Sequence, residues 1–124
     1  KGQDAKIQEQ MQAMRTAAEI YYGNNSNAYT AGTDCQAGMF ADATSNMNAL
    51  IDATVAADGS DGTDCGADAT SWAVAAELPS ESTWFCVDST GWAGTKNKAG
   101  SAYTAITGTV ATAAKNSAGA LVCK

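Results

Sequence analysis

The first 22 residues constrain the fold most, because they have the pattern of one amphipathic helix. The segment KGQDAKIQEQMQAMRTAAEIYY contains no proline, and Gln, Glu, Lys and Arg, which are good helix formers, line one side of it. Its apolar residues recur in steps of four and three, the spacing of one helix face: Ile7, Met11, Met14, Ala18 and Tyr21, widened by Ala17 and Ile20. At about 1.5 Å per residue this helix would be roughly 30 Å long. The remainder of the chain is therefore expected to pack onto this helix.

Charge and composition exclude several classes of function. The formal net charge is −6 and the pI is about 4.3, whereas a nucleic-acid partner needs a basic face, so none is expected. The chain contains no histidine and no GxSxG, phosphate-loop or dinucleotide motif, so the common catalytic constellations are missing. We expect no enzymatic activity.

Four cysteines occur, at Cys35, Cys65, Cys86 and Cys123. Their wide spacing, without a CxxC motif or any histidine, favours two disulfides over a zinc site. Disulfides in turn favour an oxidising location such as a periplasm or the cell exterior. We favour Cys35–Cys65 with Cys86–Cys123, each closing about 30 to 40 residues, but the sequence leaves all three pairings open.

A single domain over residues 1–124 is expected, with a helix at 1–22, a connecting region at 23–70, and a sheet with a C-terminal disulfide region at 71–124. Helical periodicity predicts a short second helix over Asp42–Ala57, capped by Asp42, Thr44 or Ser45. The predicted apolar face of that helix comprises Phe40, Met47, Leu50, Ile51 and Val55. The Gly/Asp-rich residues 58–68 are expected to form an irregular loop.

The period changes from 3.6 to 2 over Ser71–Leu78, where alternate residues share one face: Trp72, Val74, Ala76 and Leu78. A turn at 79–82 and the β-rich stretch Thr83–Asp88 predict an antiparallel hairpin, in which one of Trp72, Trp84 and Phe85 is partly exposed. Two further strands are predicted around 102–111 and 119–123. The expected fold class is α+β: a long N-terminal α-helix packed against a three- to four-stranded antiparallel β-sheet, with a helical connecting loop.

This organisation resembles a type IV pilin, or a pilin-like relative, that lacks the transmembrane first half of its helix. The resemblance rests on Glu19–Tyr22 before an Asn-rich turn, on the hairpin SWAVAAELP with WFCVDSTG, and on Cys123 near the end of the chain. It implies a pilin-like fold whose helix continues upstream of Lys1 into an apolar, N-terminally methylated half. Lys1 is then expected to be a processed or artificial start.

The resemblance also implies a function. The expected protein is a major or minor pilin, a structural subunit of an extracellular type IV pilus (fimbrium) that supports adhesion, twitching motility or DNA uptake. Its partners would be copies of itself and other pilins, and it would be anchored in the inner membrane of a bacterium before assembly. The alternatives are a pseudopilin of a type II secretion system and a secreted binding module whose helix forms a partner-binding coil.

Two charge patterns remain. Asp58, Asp61 and Asp64 lie in a Gly-rich stretch that could bind calcium, but a solvated acidic loop is the favoured interpretation, and no other cofactor is expected. Ten acidic residues lie between Asp34 and Asp88 with no basic residue among them, and only lysines follow Asp88. Such segregation predicts attraction between subunits, with a possible interface of Lys96, Lys98, Asp58 and Asp61.

Overall fold

The computed structural model describes residues 2–29, 35–59, 62–80, 83–95 and 123. Helix α1 spans Gly2–Asn24, a 3-10 turn spans Gly38–Ala41, and helix α2 spans Met47–Ala57. Four strands follow: β1 Thr63–Ala67, β2 Trp72–Leu78, β3 Thr83–Asp88 and β4 Ala93–Gly94. They form one antiparallel sheet in the order β1-β2-β3-β4. The predicted α+β class, with a long helix against an antiparallel sheet, is confirmed.

Helix α1 packs on one face of the sheet through the stripe that its sequence predicts. Its core residues are all buried: Ile7, Met11, Met14, Ala17, Ala18 and Tyr21. They share one hydrophobic cluster with β2 and β3 residues that face the helix, namely Trp72, Val74, Ala76, Leu78, Phe85 and Val87. Ile20 is 46% exposed, because at 100° per residue it lies about 130° from the centre of the stripe. The inclusion of Ile20 in the packing face was therefore wrong.

Residues 63–67 correct another prediction, because they form a strand rather than part of a loop. In β1, Thr63 lies opposite Ala76, Cys65 opposite Val74 and Ala67 opposite Trp72. The composition TDCGA has little strand preference of its own. Pairing with β2 stabilises it, which is the usual way in which context overrides a weak local preference.

Helix α2 begins five residues later than predicted. Asp42 Oδ2 accepts a hydrogen bond from the Ser45 backbone N–H at 2.8 Å, and Asn46 has a left-handed φ of 71°, so a turn precedes the helix. Val55, predicted to be apolar core, is 42% exposed, whereas Thr54 is fully buried. The Thr54 hydroxyl lies 2.9 Å from Leu50 O of α2 and 3.3 Å from Gln10 Oε1 of α1. This buried polar group therefore has hydrogen-bond partners.

The sheet face away from α1 is also buried where β2 and β3 pair. Ala75, Trp84, Cys86 and Cys123 form a second cluster there, with Trp92 packed against it. Trp72, Trp84 and Phe85 are all buried, so the expectation that one of them is partly exposed was wrong. The strands predicted around 102–111 and 119–123 lie outside the described residues, apart from Cys123, which has no strand assignment.

Candidate functional site

The two disulfides lie on opposite faces of the sheet. Cys35–Cys65 joins the segment before the 3-10 turn to β1, on the α1 side. Cys86–Cys123 lies on the other side, with a Cα–Cα distance of 6.0 Å. These are the favoured pairings, and the structure confirms them. Each covalently attaches a segment outside the helix–sheet core to one strand.

Asp88, the last residue of β3, is a buried carboxylate that organises the turn after it. Its Oδ1 accepts hydrogen bonds from Thr90 N at 2.9 Å, Thr90 Oγ1 at 2.6 Å and Trp92 N at 3.2 Å. Its Oδ2 accepts a hydrogen bond from Cys123 N at 2.6 Å. Only 1% of the residue is exposed, so the four donors replace the hydrogen bonds from water that the carboxylate loses on burial.

Asp68 performs the same local task at the start of β2. Its Oδ1 accepts hydrogen bonds from the backbone N–H groups and the hydroxyl groups of both Thr70 and Ser71, at 2.8 to 3.3 Å. Partial burial works to raise the pKa of Asp68, but these hydrogen bonds outweigh it, and the net pKa is lowered. The turn is thus held by an ionised side chain.

Asp68 and Asp88 were missed as site residues by the sequence reasoning. The two sites share the pattern Asp-x-Thr, at 68–70 and 88–90, but the same pattern also occurs at 42–44, 52–54 and 61–63. Aspartate at the first position of such a triplet commonly accepts hydrogen bonds from the residues that follow. The pattern alone would not have singled out these two turns, because residues 52–54 carry it within α2, and it gives no sign of the bond from Asp88 to Cys123.

The acidic stretch lies beside the opposite end of β2. Asp58 Oδ2 accepts a hydrogen bond from Thr63 Oγ1 at 2.6 Å, and burial, opposed by that bond and aided by nearby Glu77, raises the pKa of Asp58. Burial also raises the pKa of Asp64. The third calcium candidate, Asp61, lies outside the described residues, as do Lys96 and Lys98 of the predicted subunit interface. Within the described part of the chain, no three acidic or other metal-binding side chains cluster.

An open cleft of about 510 Å³ lies between α1 and the turn after β3. Arg15 contributes a cation to it, and Arg15 Nη1 donates a hydrogen bond to Gln12 Oε1 at 2.8 Å. Glu19 contributes an anion and also accepts a hydrogen bond from Tyr29 Oη at 3.3 Å. The remaining lining residues are Thr16, Trp72, Asp88, Ser89 and Gly91. Such a lining can form hydrogen bonds with a polar group of a partner.

Tyr29 joins the cleft side of α1 to the loop that follows the helix. Its ring lies 4.8 Å from that of Tyr22, centroid to centroid, in a tilted arrangement. Burial, together with the Glu19 carboxylate, raises the pKa of Tyr29. Tyr22 and Tyr29 therefore pack against each other at the C-terminal end of α1, with tilted rings, as aromatic pairs commonly do.

Two findings bear on relationships and location. Among the described residues, no helix is both long enough and apolar enough to cross a membrane. Comparisons of the chain with protein-family profiles, with curated proteins and with solved structures gave no match.

Proposed function

We propose that this chain is the globular domain of a filament subunit of the type IV pilin class, either a major or a minor pilin. The observation that supports it is the packing of α1, which buries one stripe against the antiparallel sheet from Ile7 to Tyr21 and exposes its other side. That arrangement of a long helix on an antiparallel sheet is compatible with a pilin-like fold.

The position of the helix start supports the proposal further. Asp4, in the first turn of α1, accepts a hydrogen bond from the Ser80 backbone N–H at 3.1 Å, so this end of the helix lies beside the end of β2. A helical extension upstream of Gly2 would therefore leave the domain along the helix axis without crossing the sheet. The proposal assigns to that extension an apolar membrane anchor, which becomes the filament core after assembly.

The disulfides support the proposed location. Two bridges in a chain of 124 residues suit a protein that folds in an oxidising compartment. In the proposed function the domain is exposed on an extracellular filament, and the bridges keep the segments at Cys35 and Cys123 attached to the sheet. The partners are other copies of the chain and other pilins.

The genomic sequence upstream of Lys1 provides the first test. An apolar stretch of about 20 residues after a short basic leader is expected. A chain whose gene encodes no apolar segment there would instead be a binding module, and the proposal would be wrong.

Deletion of the gene in its source bacterium provides the second test. Electron microscopy should show loss of surface filaments, and labelling with antibody against the domain should decorate the wild-type filaments. Retained filaments together with a defect in protein secretion would instead assign the chain to the pseudopilins.

A further inference from the structure

We propose that Asp88 selects Cys123 as the disulfide partner of Cys86, by holding the backbone of Cys123 against β3 before the bond forms. The contact that carries this inference is the hydrogen bond from Cys123 N to Asp88 Oδ2, at 2.6 Å. It joins residues that are 35 positions apart in the sequence. It is therefore a tertiary contact, made at the same place as the disulfide. This inference does not depend on the proposed filament function.

Cys86 and Asp88 are alternate residues of β3, so their side chains project from the same face of the sheet, roughly 7 Å apart along the strand. Cys123 contacts both of them, Cys86 through its sulfur and Asp88 through its backbone N–H. A single contact would fix only the position of Cys123. Two contacts on one strand also fix its orientation, which a disulfide requires.

The carboxylate of Asp88 is oriented before Cys123 arrives. Among the described residues, the donors to its Oδ1 are Thr90 and Trp92, two to four residues away. Contacts of such short range close at low entropic cost, so they form with the β3 turn. The Oδ2 atom is then held in position to receive the distant Cys123 N–H.

The sheet accounts for part of the pairing but not for all of it. Cys65 lies opposite Val74, which faces α1, whereas Cys86 lies opposite Ala75 on the other face. Once β1, β2 and β3 pair, Cys65 and Cys86 cannot bond to each other. The choice between Cys35 and Cys123 as partner of Cys86 remains, and the Asp88 contact favours Cys123.

The chemistry is ordinary thiol–disulfide exchange with a glutathione-type disulfide as oxidant. One cysteine thiolate attacks glutathione disulfide and releases a glutathione thiolate. The second cysteine thiolate then attacks the mixed disulfide and releases the other glutathione thiolate. The two cysteine thiols lose two electrons and two protons, which the glutathione pair gains. Asp88 transfers neither electrons nor protons. It acts only as a positioning residue that raises the effective concentration of one cysteine thiol at the other.

The test is oxidative refolding of the intact, reduced chain in a glutathione buffer. Samples are alkylated at intervals, and peptide mapping gives the fraction of each disulfide and its equilibrium constant against glutathione. In Asp88→Asn the effective concentration of Cys86 and Cys123 should fall about tenfold, because the charge-assisted bond to Cys123 is lost. The Cys35–Cys65 bridge should change less than twofold.

Two variants serve as controls. Asp68→Asn removes a carboxylate that accepts hydrogen bonds from a similar turn but from no cysteine, so the ratio of the Cys86–Cys123 and Cys35–Cys65 equilibrium constants should stay within twofold of wild type. Thr90→Val removes the hydroxyl that donates to Oδ1 and keeps Oδ2 for Cys123, so it should have an effect clearly smaller than that of Asp88→Asn.

Three results would overturn the proposal. The first is a Cys86–Cys123 equilibrium constant in Asp88→Asn within twofold of wild type. The second is an equal loss in Asp68→Asn or Thr90→Val, which would make the turns responsible. The third is an equal loss of both bridges in Asp88→Asn, including complete failure to fold, which would make Asp88 a general folding residue and not a selector of Cys123.

Discussion

At the scale of single residues, the same three-residue pattern produces two different outcomes. Asp68 and Asp88 each accept hydrogen bonds from the threonine two positions later, and both lie at the same end of the hairpin. The four hydrogen bonds that Asp68 Oδ1 accepts come from residues of its own turn. Asp88 has one oxygen left for a distant backbone N–H. The local pattern accompanies the turn at both sites, and the link from Asp88 to Cys123 is added by tertiary structure.

Replacement of Asp68 by asparagine should reduce the dependence of stability on acid pH. The folded-state pKa of Asp68 is lowered from its ordinary value of 3.8. Its contribution to stability is therefore present above that value and is lost as the pH falls through the lower, folded-state pKa. We expect Asp68→Asn to lower the free energy of unfolding by about 1 kcal/mol at pH 7 and by less at pH 2. Urea denaturation at both pH values measures this, and equal losses at both would contradict it.

Replacement of Asp64 should raise the free energy of unfolding at neutral pH, whereas replacement of Asp68 should lower it. Burial raises the pKa of Asp64 above 3.8, so stability declines as the pH rises through the interval between 3.8 and the raised value. Because the group is only partly buried, Asp64→Asn should stabilise the protein at pH 7 by no more than a few tenths of a kcal/mol. The gain should vanish below about pH 3.8. Thermal unfolding at pH 7 and pH 3 checks this, with exposed Asp52→Asn as the control, and a gain that persists at pH 3 would refute it.

At the scale of elements, α1 connects the parts of the domain. Its stripe contacts β2 and β3, Gln10 contacts Thr54 of α2, and Asp4 contacts Ser80 in the turn after β2. The sheet alone would leave an apolar face exposed, and α1 alone would be marginal in water. Each element is therefore stable only because the other covers it.

Truncation of the buried stripe should test this mutual dependence. Met11 is fully buried in the middle of α1, and Met11→Ala should cost about 2–5 kcal/mol in the free energy of unfolding, through lost burial and the cavity that remains. Ile20→Ala, on the same helix but 46% exposed, should cost less than about 1 kcal/mol. Chemical denaturation compares the two variants. Similar losses would mean that α1 packs in a different register.

At the scale of the whole molecule, both faces of the β2–β3 hairpin are buried and each face contains one disulfide. One face is covered by α1. On the other, Cys123 is tied to β3 by the Cys86 disulfide and by the hydrogen bond to Asp88. Among the described residues, the surfaces left for a partner in the proposed filament include the exposed side of α1, the cleft beside Arg15 and the acidic stretch near Asp58.

The proposed filament makes a prediction about charge at this scale. Ten acidic residues from Asp34 to Asp88, followed only by lysines, favour head-to-tail contacts between copies. Lys96→Glu with Lys98→Glu should lower filament yield and the salt concentration that dissociates filaments, measured by sedimentation and electron microscopy. When Asp58→Lys and Asp61→Lys are added to that variant, assembly should be restored. Adding Asp52→Lys and Glu9→Lys instead should not restore it. Filaments of normal yield and salt resistance in the variant with Lys96→Glu and Lys98→Glu would rule out this interface.

The sequence by itself was sufficient for the elements whose signal is local. The i, i+3 and i, i+4 spacing of the α1 stripe and the alternation of β2 specify which side chains turn inward, because helix and strand geometry repeat over a few residues. Ile20 and Val55, at the margins of the predicted stripes, are nevertheless exposed, because burial there depends on how far the neighbouring element extends.

Only the tertiary structure decided the rest. Residues 63–67 became a strand because β2 offers them a pairing edge, and their own composition gives no such signal. Cys65 and Cys86 were separated by the register of the sheet, and Cys123 was brought to Asp88 from 35 residues away. These features depend on contacts between distant parts of the chain, whose entropic cost is repaid only when the helix and the sheet pack together.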